Sequence, residues 1–328
     1  MTNARGRRKV FLAGSTGLVG TAILKRLLAT SPDTFVTASR HTDVGPWIRD
    51  PRVEYVSGDL RSLDTCRQMA RGCDCAIMAA AYTGGAGLVN AFPWMHVKEN
   101  LWLNLQMLEA FQLERLPRIV LIGSATLYQD CDGLVSESDL DMNQDPPPAY
   151  MGYGWAARFI ENMCRFLHDK FAMHIVIARA ANVFGPYARF NPATSNVIPA
   201  LIRKAVDKMD PFEVWGNPSV TRDVIYSEDF AEAIVRLSDR DEGGFEVFNV
   251  GSGERTTIDQ IVKWALESAG HEPRAITYLQ DRPTTMKDRA LDCSKIRSAL
   301  NWAPRHTIEE GIAKTTQWWI ENQSSWLR

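Results

Sequence analysis

Lys9–Gly20 reads KVFLAGSTGLVG, and this stretch decides the fold. Its apolar part, Val10–Ala13, predicts a short buried strand that runs directly into a glycine-rich turn. Glycine allows the tight turn and the close approach of backbone to a diphosphate, and the free N–H groups at the start of the next helix attract phosphate. We therefore expect a dinucleotide-binding turn made of Gly14, Ser15, Thr16, Gly17, Leu18, Val19 and Gly20.

Outward from this turn, apolar runs alternate with amphipathic stretches. The predicted strands are Lys9–Ala13, Phe35–Ser39, Val53–Val56, Cys75–Ala80, Arg118–Gly123 and His174–Arg179, and the predicted helices are Leu18–Leu28, Asn100–Gln112 and Tyr153–Phe171. This alternation predicts an α/β fold, a Rossmann-type doubly wound parallel sheet with helices on both faces. After Pro186 the pattern becomes irregular, which predicts a smaller C-terminal α+β substrate lobe. We assign residues 1–185 to the cofactor domain and 186–328 mainly to the lobe, with part of the chain returning to the main sheet.

The bulk composition excludes several classes of protein. The formal net charge of −2 gives no reason to expect a nucleic-acid partner. No apolar run is long enough to cross a bilayer, and the N-terminus lacks the apolar core of a signal peptide. The six cysteines form no paired CxxC array, so we expect no metal and a reducing, cytoplasmic setting.

The end of the second strand bears on the choice of cofactor. NAD-binding sites usually have a carboxylate there to hold the ribose, but this chain reads Ser39-Arg40-His41. Arg40 can pair with the 2′-phosphate of NADP(H), which we favour over NAD(H); the alternative is an exposed arginine at a strand end. Asp59 and Leu60, after the third strand, are expected against the adenine, the alternative being a helix cap.

A serine and a tyrosine predict the chemistry. Ser124 and Thr126 follow the fifth strand, and Tyr153 begins a long helix. Hydride transfer to a ketone creates an alkoxide, which needs a proton donor and further hydrogen bonds; Tyr153 suits the first role, Ser124 and Thr126 the second. A lysine one turn after the tyrosine would normally lower the phenol pKa, but that position is Ala157. Arg158 points about 100° further round the helix and is a poor substitute.

Taken together, these residues resemble the extended short-chain dehydrogenases/reductases, the NAD-dependent epimerase/dehydratase family, and within them the GDP-L-fucose synthase-like reductases. The resemblance runs over nearly the whole chain. Beyond the glycine turn, its matching stretches are Ala79–Gly85, Asn100, Asn104, Asn182–Pro186, Phe190–Pro192, Val197–Leu201, Val214–Gly216, Thr221–Asp223, Asp229, Phe248–Gly253 and Leu291 to Trp318.

The resemblance implies an NDP-sugar substrate, with GDP favoured, and a homodimer joined through Asn100–Gln112 and Tyr153–Phe171. It places Ala79, Ala80 and Ala81 against the cofactor. It implies substrate contacts by Thr83, Gly84, Asn182, Asn191, Asn196, Val197, Trp215, Arg222 and Lys287. Arg222 also has a physical case, because a guanidinium fork matches phosphate oxygens; the alternative is a surface ion pair.

Departures from the family's pattern narrow the function. The Cys and His that epimerise sugars in fucose synthases fall at Thr126 and Asn196, and the Asp-Glu pair of dehydratases falls at Ala125 and Thr126. Neither Thr126 nor Asn196 titrates near neutral pH. We expect NADPH-dependent reduction of the C4 ketone of an NDP-4-keto-6-deoxysugar without C3/C5 epimerisation. The alternatives are an epimerase with tightly bound cofactor and a non-catalytic NDP-sugar-binding protein, and Ala157 is either a natural loss or an engineered Lys-to-Ala replacement.

Overall fold

The computed structural model describes residues 7–41, 45–85, 87, 91–240, 242–280 and 289–326. Its strands are β1 (Arg8–Ala13), β2 (Thr34–Arg40), β3 (Val53–Ser57), β4 (Cys75–Met78), β5 (Arg118–Ser124), β6 (Gly133–Val135), β7 (His174–Ala180), β8 (Asn182–Phe184), β9 (Phe212–Trp215), β10 (Thr221–Arg222), β11 (Val224–Tyr226), β12 (Phe245–Val250), β13 (Thr256–Thr257), β14 (Ile276–Leu279) and β15 (Arg289–Leu291). Its helices are α1 (Leu18–Thr30), α2 (Leu63–Ala70), α3 (Pro93–Leu113), α4 (Met151–Phe171), α5 (Val197–Val206), α6 (Ser227–Asp239), α7 (Ile258–Ala269), α8 (Ser294–Leu300) and α9 (Ile308–Asn322).

A seven-stranded parallel sheet forms the centre of the molecule, in the order β12-β7-β5-β4-β1-β2-β3. Side chains of α1 and α6 pack on one face of it, and side chains of α2, α3 and α4 on the other. In β1, Val10 and Leu12 belong to the first layer, while Phe11 and Ala13 belong to the second. Burial on both faces explains the continuous apolar run, and the predicted doubly wound parallel sheet is confirmed.

A third hydrophobic cluster forms beside the sheet, in the second half of the chain. It contains the buried stripes of α5, α7 and α9 together with Phe212 and Val214 of β9. Between these elements the chain returns to the sheet, where α6 packs against α1 and β12 pairs with β7. Four two-stranded pairs complete the structure, namely β10 with β13, β11 with β8, β14 with β9, and β15 with β6.

Some element boundaries differ from those predicted. α3 begins at Pro93, well before the predicted Asn100, with proline at the first helical positions, where its missing N–H costs nothing. β4 ends at Met78 instead of Ala80. α5 begins at Val197, within a stretch that looks irregular in sequence, because Ile198 and Leu201 pack into the third cluster. None of the helices described is long and apolar enough for a membrane span.

Candidate cofactor and catalytic site

The glycine turn lies at the carboxyl edge of the sheet, pressed against the residues that follow β4. Gly14 has a φ of 77°, and a Cβ atom on it would lie 2.7 Å from Ala80 Cα. A Cβ atom on Gly20 would lie 2.1 Å from the Gly14 carbonyl oxygen. Both distances are too short for any side chain, so close packing requires glycine at both positions.

The end of β2 holds this turn in place. The Gly14 N–H donates to Ser39 Oγ at 3.0 Å, and Ser15 Oγ donates to the Ser39 carbonyl at 2.8 Å. At the start of α1, Gly17 offers no side-chain cap, and the first turn carries no acidic residue. The N–H groups and the positive end of the helix dipole there suit a diphosphate.

Arg40 ends β2 beside this turn. Its Nε donates to Ser57 Oγ at 2.9 Å, and its Nη1 reaches the Gly45 carbonyl at 3.5 Å. Within the described ranges it makes no ion pair with a carboxylate. No described carboxylate therefore neutralises this guanidinium, and its role in cofactor binding stays a prediction.

Asp59 lies after β3 and is already paired. The Arg61 guanidinium binds its carboxylate, with Nη2 at 2.7 Å from Oδ2, and these bonds hold the Asp59 pKa below its usual range. Arg61 also donates to Glu99 of α3 at 2.7 Å. This ion-pair bridge was missing from the sequence analysis. Leu60 is buried, Ala79 and Ala80 are partly buried, and Ala81 is exposed.

The predicted catalytic residues converge between β5, α3 and α4. Ser124, Tyr153 and Ala157 line one cavity of about 30 Å³, large enough for a water molecule, together with Asn100 and Asn104 of α3. Ser124 Oγ lies 2.9 Å from Thr126 Oγ1 and also accepts the Thr126 N–H. Two hydroxyl groups therefore stand together at the end of β5.

Tyr153 lies in the first turn of α4, and no described cation lies over its ring. Burial raises its pKa, and no charged group offsets that rise among the described residues. Its ring stacks on His96 of α3, with 4.2 Å between ring centroids and 24° between planes. Position 157, one turn on, contributes only a methyl group.

Arg158 does not replace the missing lysine. It is 1% exposed, its Nε donates to the Leu127 carbonyl at 2.7 Å, and its Nη1 donates to the Gln144 carbonyl at 2.6 Å. The guanidinium also lies over the Trp155 ring. These contacts join the helix to the turn after β5 and to the segment between β6 and α4.

Asn100 joins the loop after β4 to α3. Its Oδ1 accepts the Tyr82 N–H at 3.0 Å, and its Nδ2 donates to the carbonyls of Tyr82 and His96 at 2.9 and 2.7 Å. These bonds fix Thr83 and Gly84, which follow directly. The Thr83 carbonyl accepts a hydrogen bond from Arg189, a residue that the sequence analysis did not select.

The predicted sugar-binding residues come from two loops that meet. The Gly85 N–H donates to the Thr194 carbonyl at 3.0 Å, which links the loop after β4 to the segment between Asn191 and Asn196. Asn191, Asn196 and the adjoining Val197 are exposed around this link. Thr83, also exposed, lies on the same side.

The remaining predicted substrate residues lie around β9, β10 and β8. Asn182 Nδ2 donates to the Asp223 carbonyl at 3.0 Å, and Arg222 Nη1 donates to the Thr221 carbonyl at 2.7 Å. Trp215 ends β9 with 46% of its surface exposed. Lys287 lies outside the described residues.

Asp223 anchors this region, although no local sequence pattern indicates it. Its buried carboxylate accepts N–H bonds from Ser252, Gly253 and Leu291 and a hydroxyl bond from Ser252. Burial raises the Asp223 pKa, while these bonds act in the opposite direction. The carboxylate joins three separate segments, and such long-range convergence leaves no local signal in the sequence.

An aromatic cluster lies against the glycine turn on its other side. Trp47 Nε1 donates to the Thr16 carbonyl at 3.1 Å, and the Trp47 ring packs on Trp326 with 4.5 Å between centroids. Trp326 also contacts Tyr187 and donates from Nε1 to the Ala188 carbonyl. The cluster joins the β2–β3 connection, the loop after β8 and the end of the chain.

The chain is similar in sequence to known proteins. The sequence model of the NAD dependent epimerase/dehydratase family matches residues 10–251. The chain belongs to this family. The GDP-L-fucose synthase 1 of Arabidopsis thaliana is 26% identical over 326 residues, covering 96% of this chain and 94% of that protein. The GDP-mannose 3,5-epimerase of the same plant is 25% identical over 324 residues, covering 96% and 82%.

Solved structures of other epimerase/dehydratase enzymes have the same fold. UDP-glucose 4-epimerase from Thermotoga maritima superposes with a TM-score of 0.84 at 18% identity, covering 96% of this chain and 99% of that one. dTDP-glucose 4,6-dehydratase from Streptomyces venezuelae, solved with NAD bound, has a TM-score of 0.83 at 22% identity, covering 97% and 99%. The predicted fold and the family resemblance are both confirmed.

Proposed function

We propose that this protein uses NADPH to reduce the C4 ketone of an NDP-4-keto-6-deoxysugar, with GDP as the favoured nucleotide and without C3/C5 epimerisation. Tyr153 carries the proposal. Desolvation raises the pKa of the partly buried Tyr153 phenol, so the phenol keeps its proton and is a poor base for starting the oxidation of a sugar hydroxyl. An alkoxide formed by hydride transfer to a ketone is basic enough to take a proton from such a phenol.

The hydroxyl pair at the end of β5 supports the same direction of reaction. Ser124 Oγ and Thr126 Oγ1 lie 2.9 Å apart, and Ser124 lines the same cavity as Tyr153. We expect both hydroxyl groups to donate to the ketone oxygen. NADPH bound on the glycine turn supplies the hydride. Ser124 and Thr126 orient the ketone, and Tyr153 delivers the proton.

Epimerisation is left out because of the residues at two positions. Thr126 and Asn196 occupy the two positions where fucose synthases carry a cysteine and a histidine, and neither side chain exchanges protons near neutral pH. Asn196 is exposed immediately before α5. A ketone could therefore be reduced here without inversion of its neighbouring carbons.

NADP(H) is favoured over NAD(H) by Arg40. Its guanidinium stands at the end of β2, makes no ion pair with any described carboxylate, and is close to the glycine turn. A 2′-phosphate would complete the bidentate geometry that arginine prefers. The NAD named in some solved relatives belongs to structures that share only the fold.

The nucleotide diphosphate is assigned to the region of Asn182 and Arg222. Arg222 supplies a guanidinium, and Trp215 presents an exposed ring at the end of β9 that a base could contact. GDP is favoured because the relatives include GDP-L-fucose synthases and GDP-mannose 3,5-epimerases. Lys287 is proposed as a further sugar contact on the resemblance alone.

We also propose a homodimer joined through α3 and α4. Both helices expose large apolar side chains, which soluble monomers rarely present in one continuous patch. On α3 these include Trp94, at 69% exposed, and Trp102, and on α4 they include Trp155, Phe159 and Phe166. The spacing of the α4 residues puts them on one face of the helix.

NADPH oxidation tests the proposed function. The assay follows the loss of NADPH absorbance in the presence of GDP-, CDP- and dTDP-4-keto-6-deoxysugars. It is run on this protein and on Ala157→Lys side by side. We expect turnover with at least one sugar, and faster turnover in the lysine variant, since an ammonium beside Tyr153 lowers the phenol pKa.

The outcomes separate the alternatives. Oxidation of NADPH by either protein, with the sugar product reduced at C4, supports the proposal, and the best substrate identifies the nucleotide. Interconversion of sugars without added cofactor would instead indicate the epimerase. Sugar binding without any conversion, in both proteins, would indicate a binding protein.

A further inference from the structure

His96 lies in the first turns of α3 and faces the candidate catalytic tyrosine. It is 7% exposed, and its ring stacks on Tyr153 with 4.2 Å between centroids. Asn100 holds the His96 carbonyl at 2.7 Å. α3 and α4 approach closely here, since a Cβ atom on Gly152 would lie 2.8 Å from the Val97 side chain. The two rings are therefore held against each other by the packing of both helices.

Reduction of a ketone leaves Tyr153 as a phenolate, which needs a nearby positive charge in a buried site. Ala157 has none to give, and the Arg158 guanidinium donates to the carbonyls of Leu127 and Gln144. Among the described residues, His96 is the titratable group in ring contact with Tyr153.

We propose that His96 is a positioning residue for Tyr153, and that its imidazolium stabilises the phenolate formed when Tyr153 gives up its proton. The proposal rests on the proposed function and deepens it. It gives this chain a substitute for the cation that position 157 does not carry.

The charges around His96 allow this role. On α3, Lys98 and Glu99 pair with each other, and Arg61, from the turn before α2, pairs with Glu99. α4 presents the Tyr153 ring, and the backbone of Tyr82, in the loop after β4, is bound to Asn100 one turn along α3 from His96. Burial alone lowers the His96 pKa, so the resting imidazole is neutral at pH 7.

The proton balance closes with one proton from water. A hydride passes to C4, which reduces the ketone and oxidises NADPH, and Tyr153 gives its proton to the C4 oxygen. As the proton leaves Tyr153, the growing negative charge on the phenol oxygen raises the His96 pKa, so the imidazole takes up a proton from solvent in the same step. The pair returns to neutral phenol and imidazole when that proton restores Tyr153.

Four proteins test the role of His96: the unaltered chain, His96→Phe, Ala157→Lys, and the double variant. Phenylalanine keeps a stacked ring but removes the titration. We expect His96→Phe to lower kcat roughly tenfold or more in the Ala157 background, because an opposite charge at this distance shifts a pKa by about one unit or more. In the lysine background the same change should have little effect.

The dependence of kcat on pH gives a second readout. Because the imidazole must take up a proton during turnover, kcat falls as pH rises, and this pH dependence disappears in His96→Phe. Unfolding temperature, measured for each variant, identifies loss of structure. His96→Gln is the replacement if the phenylalanine variant does not fold.

Two results would overturn the proposal in distinguishable ways. If the unaltered chain turns over and His96→Phe keeps the same kcat and pH profile, the role of His96 is wrong while the reductase assignment stands. If none of the four proteins oxidises NADPH with any sugar of the panel, the proposed function fails, and the role of His96 fails with it.

Discussion

At the scale of single residues, Gly17 and Gly20 stand in the same turn but face different surroundings. A Cβ atom on Gly20 would meet backbone at 2.1 Å, whereas one on Gly17 would meet only the Gly14 carbonyl, at 3.5 Å. The protein itself thus leaves room beside Gly17. In dinucleotide-binding turns, that room allows the diphosphate to approach the backbone.

Alanine substitution is therefore expected to have different effects at the two glycines. Gly20→Ala should lower the free energy of unfolding by about 1–3 kcal/mol even without cofactor, because backbone must move. Gly17→Ala should unfold at an unchanged temperature but bind NADPH about tenfold or more weakly. Thermal unfolding and fluorescence titration measure both quantities. Equal NADPH affinity in Gly17→Ala and the unaltered chain would argue against the diphosphate position.

Arg40 gives a second prediction at this scale. Arg40→Gln should weaken NADPH binding about tenfold or more, the worth of a hydrogen-bonded charge pair, and should leave NADH binding nearly unchanged. The dissociation constants of the two cofactors, measured on the same variant, provide the comparison. Arg274→Gln is a suitable control, since Arg274 is an exposed arginine paired with Asp210 in the lobe. Parallel weakening of both cofactors would contradict a 2′-phosphate contact.

At the scale of elements, α3 and α4 contribute residues both to the candidate catalytic site and to the proposed dimer surface. Their inner faces hold His96 and Tyr153 together, and their outer faces expose the apolar residues assigned to the dimer. A change at the outer surface can therefore reach the catalytic pair through the packing of the two helices.

Charge on the outer face of α4 should break the dimer. Phe159→Glu combined with Phe166→Glu places two carboxylates in the proposed interface, where burial without a partner is strongly unfavourable. Analytical ultracentrifugation should show a dimer for the unaltered chain and a monomer for the variant. Ile320→Glu, at an exposed apolar site on α9, is the matched control. A monomeric unaltered chain would contradict the proposal.

The elements also show how far a sequence predicts a structure. β1, the glycine turn and α1 were predicted nearly to the residue, since a buried apolar run, glycines and a helical repeat are local signals. α3 was predicted to start too late. Its first turns expose Trp94 and Met95, so their apolar character does not follow the buried face of the helix.

At the scale of the whole molecule, residues that are distant in the chain form contacts that no local sequence pattern predicts. The proximity of Ser124, Tyr153 and Ala157 could be predicted from the sequence because the family resemblance implies it. The stacking of His96 on Tyr153 and the four bonds to the Asp223 carboxylate could not, since each depends on how separate elements pack. The roles of the individual site residues remain predictions.

The aromatic cluster around Trp47 has a practical consequence. An indole hydrogen-bonded to the Thr16 carbonyl is an optical reporter placed beside the glycine turn, and Trp326 shares its environment. Its ultraviolet emission will respond when the turn is filled, by contact and by energy transfer to a reduced nicotinamide. The chain has ten tryptophans, but the difference spectrum between the unaltered protein and Trp47→Phe isolates this one. The molecule can thus report occupancy of its own turn without an added dye.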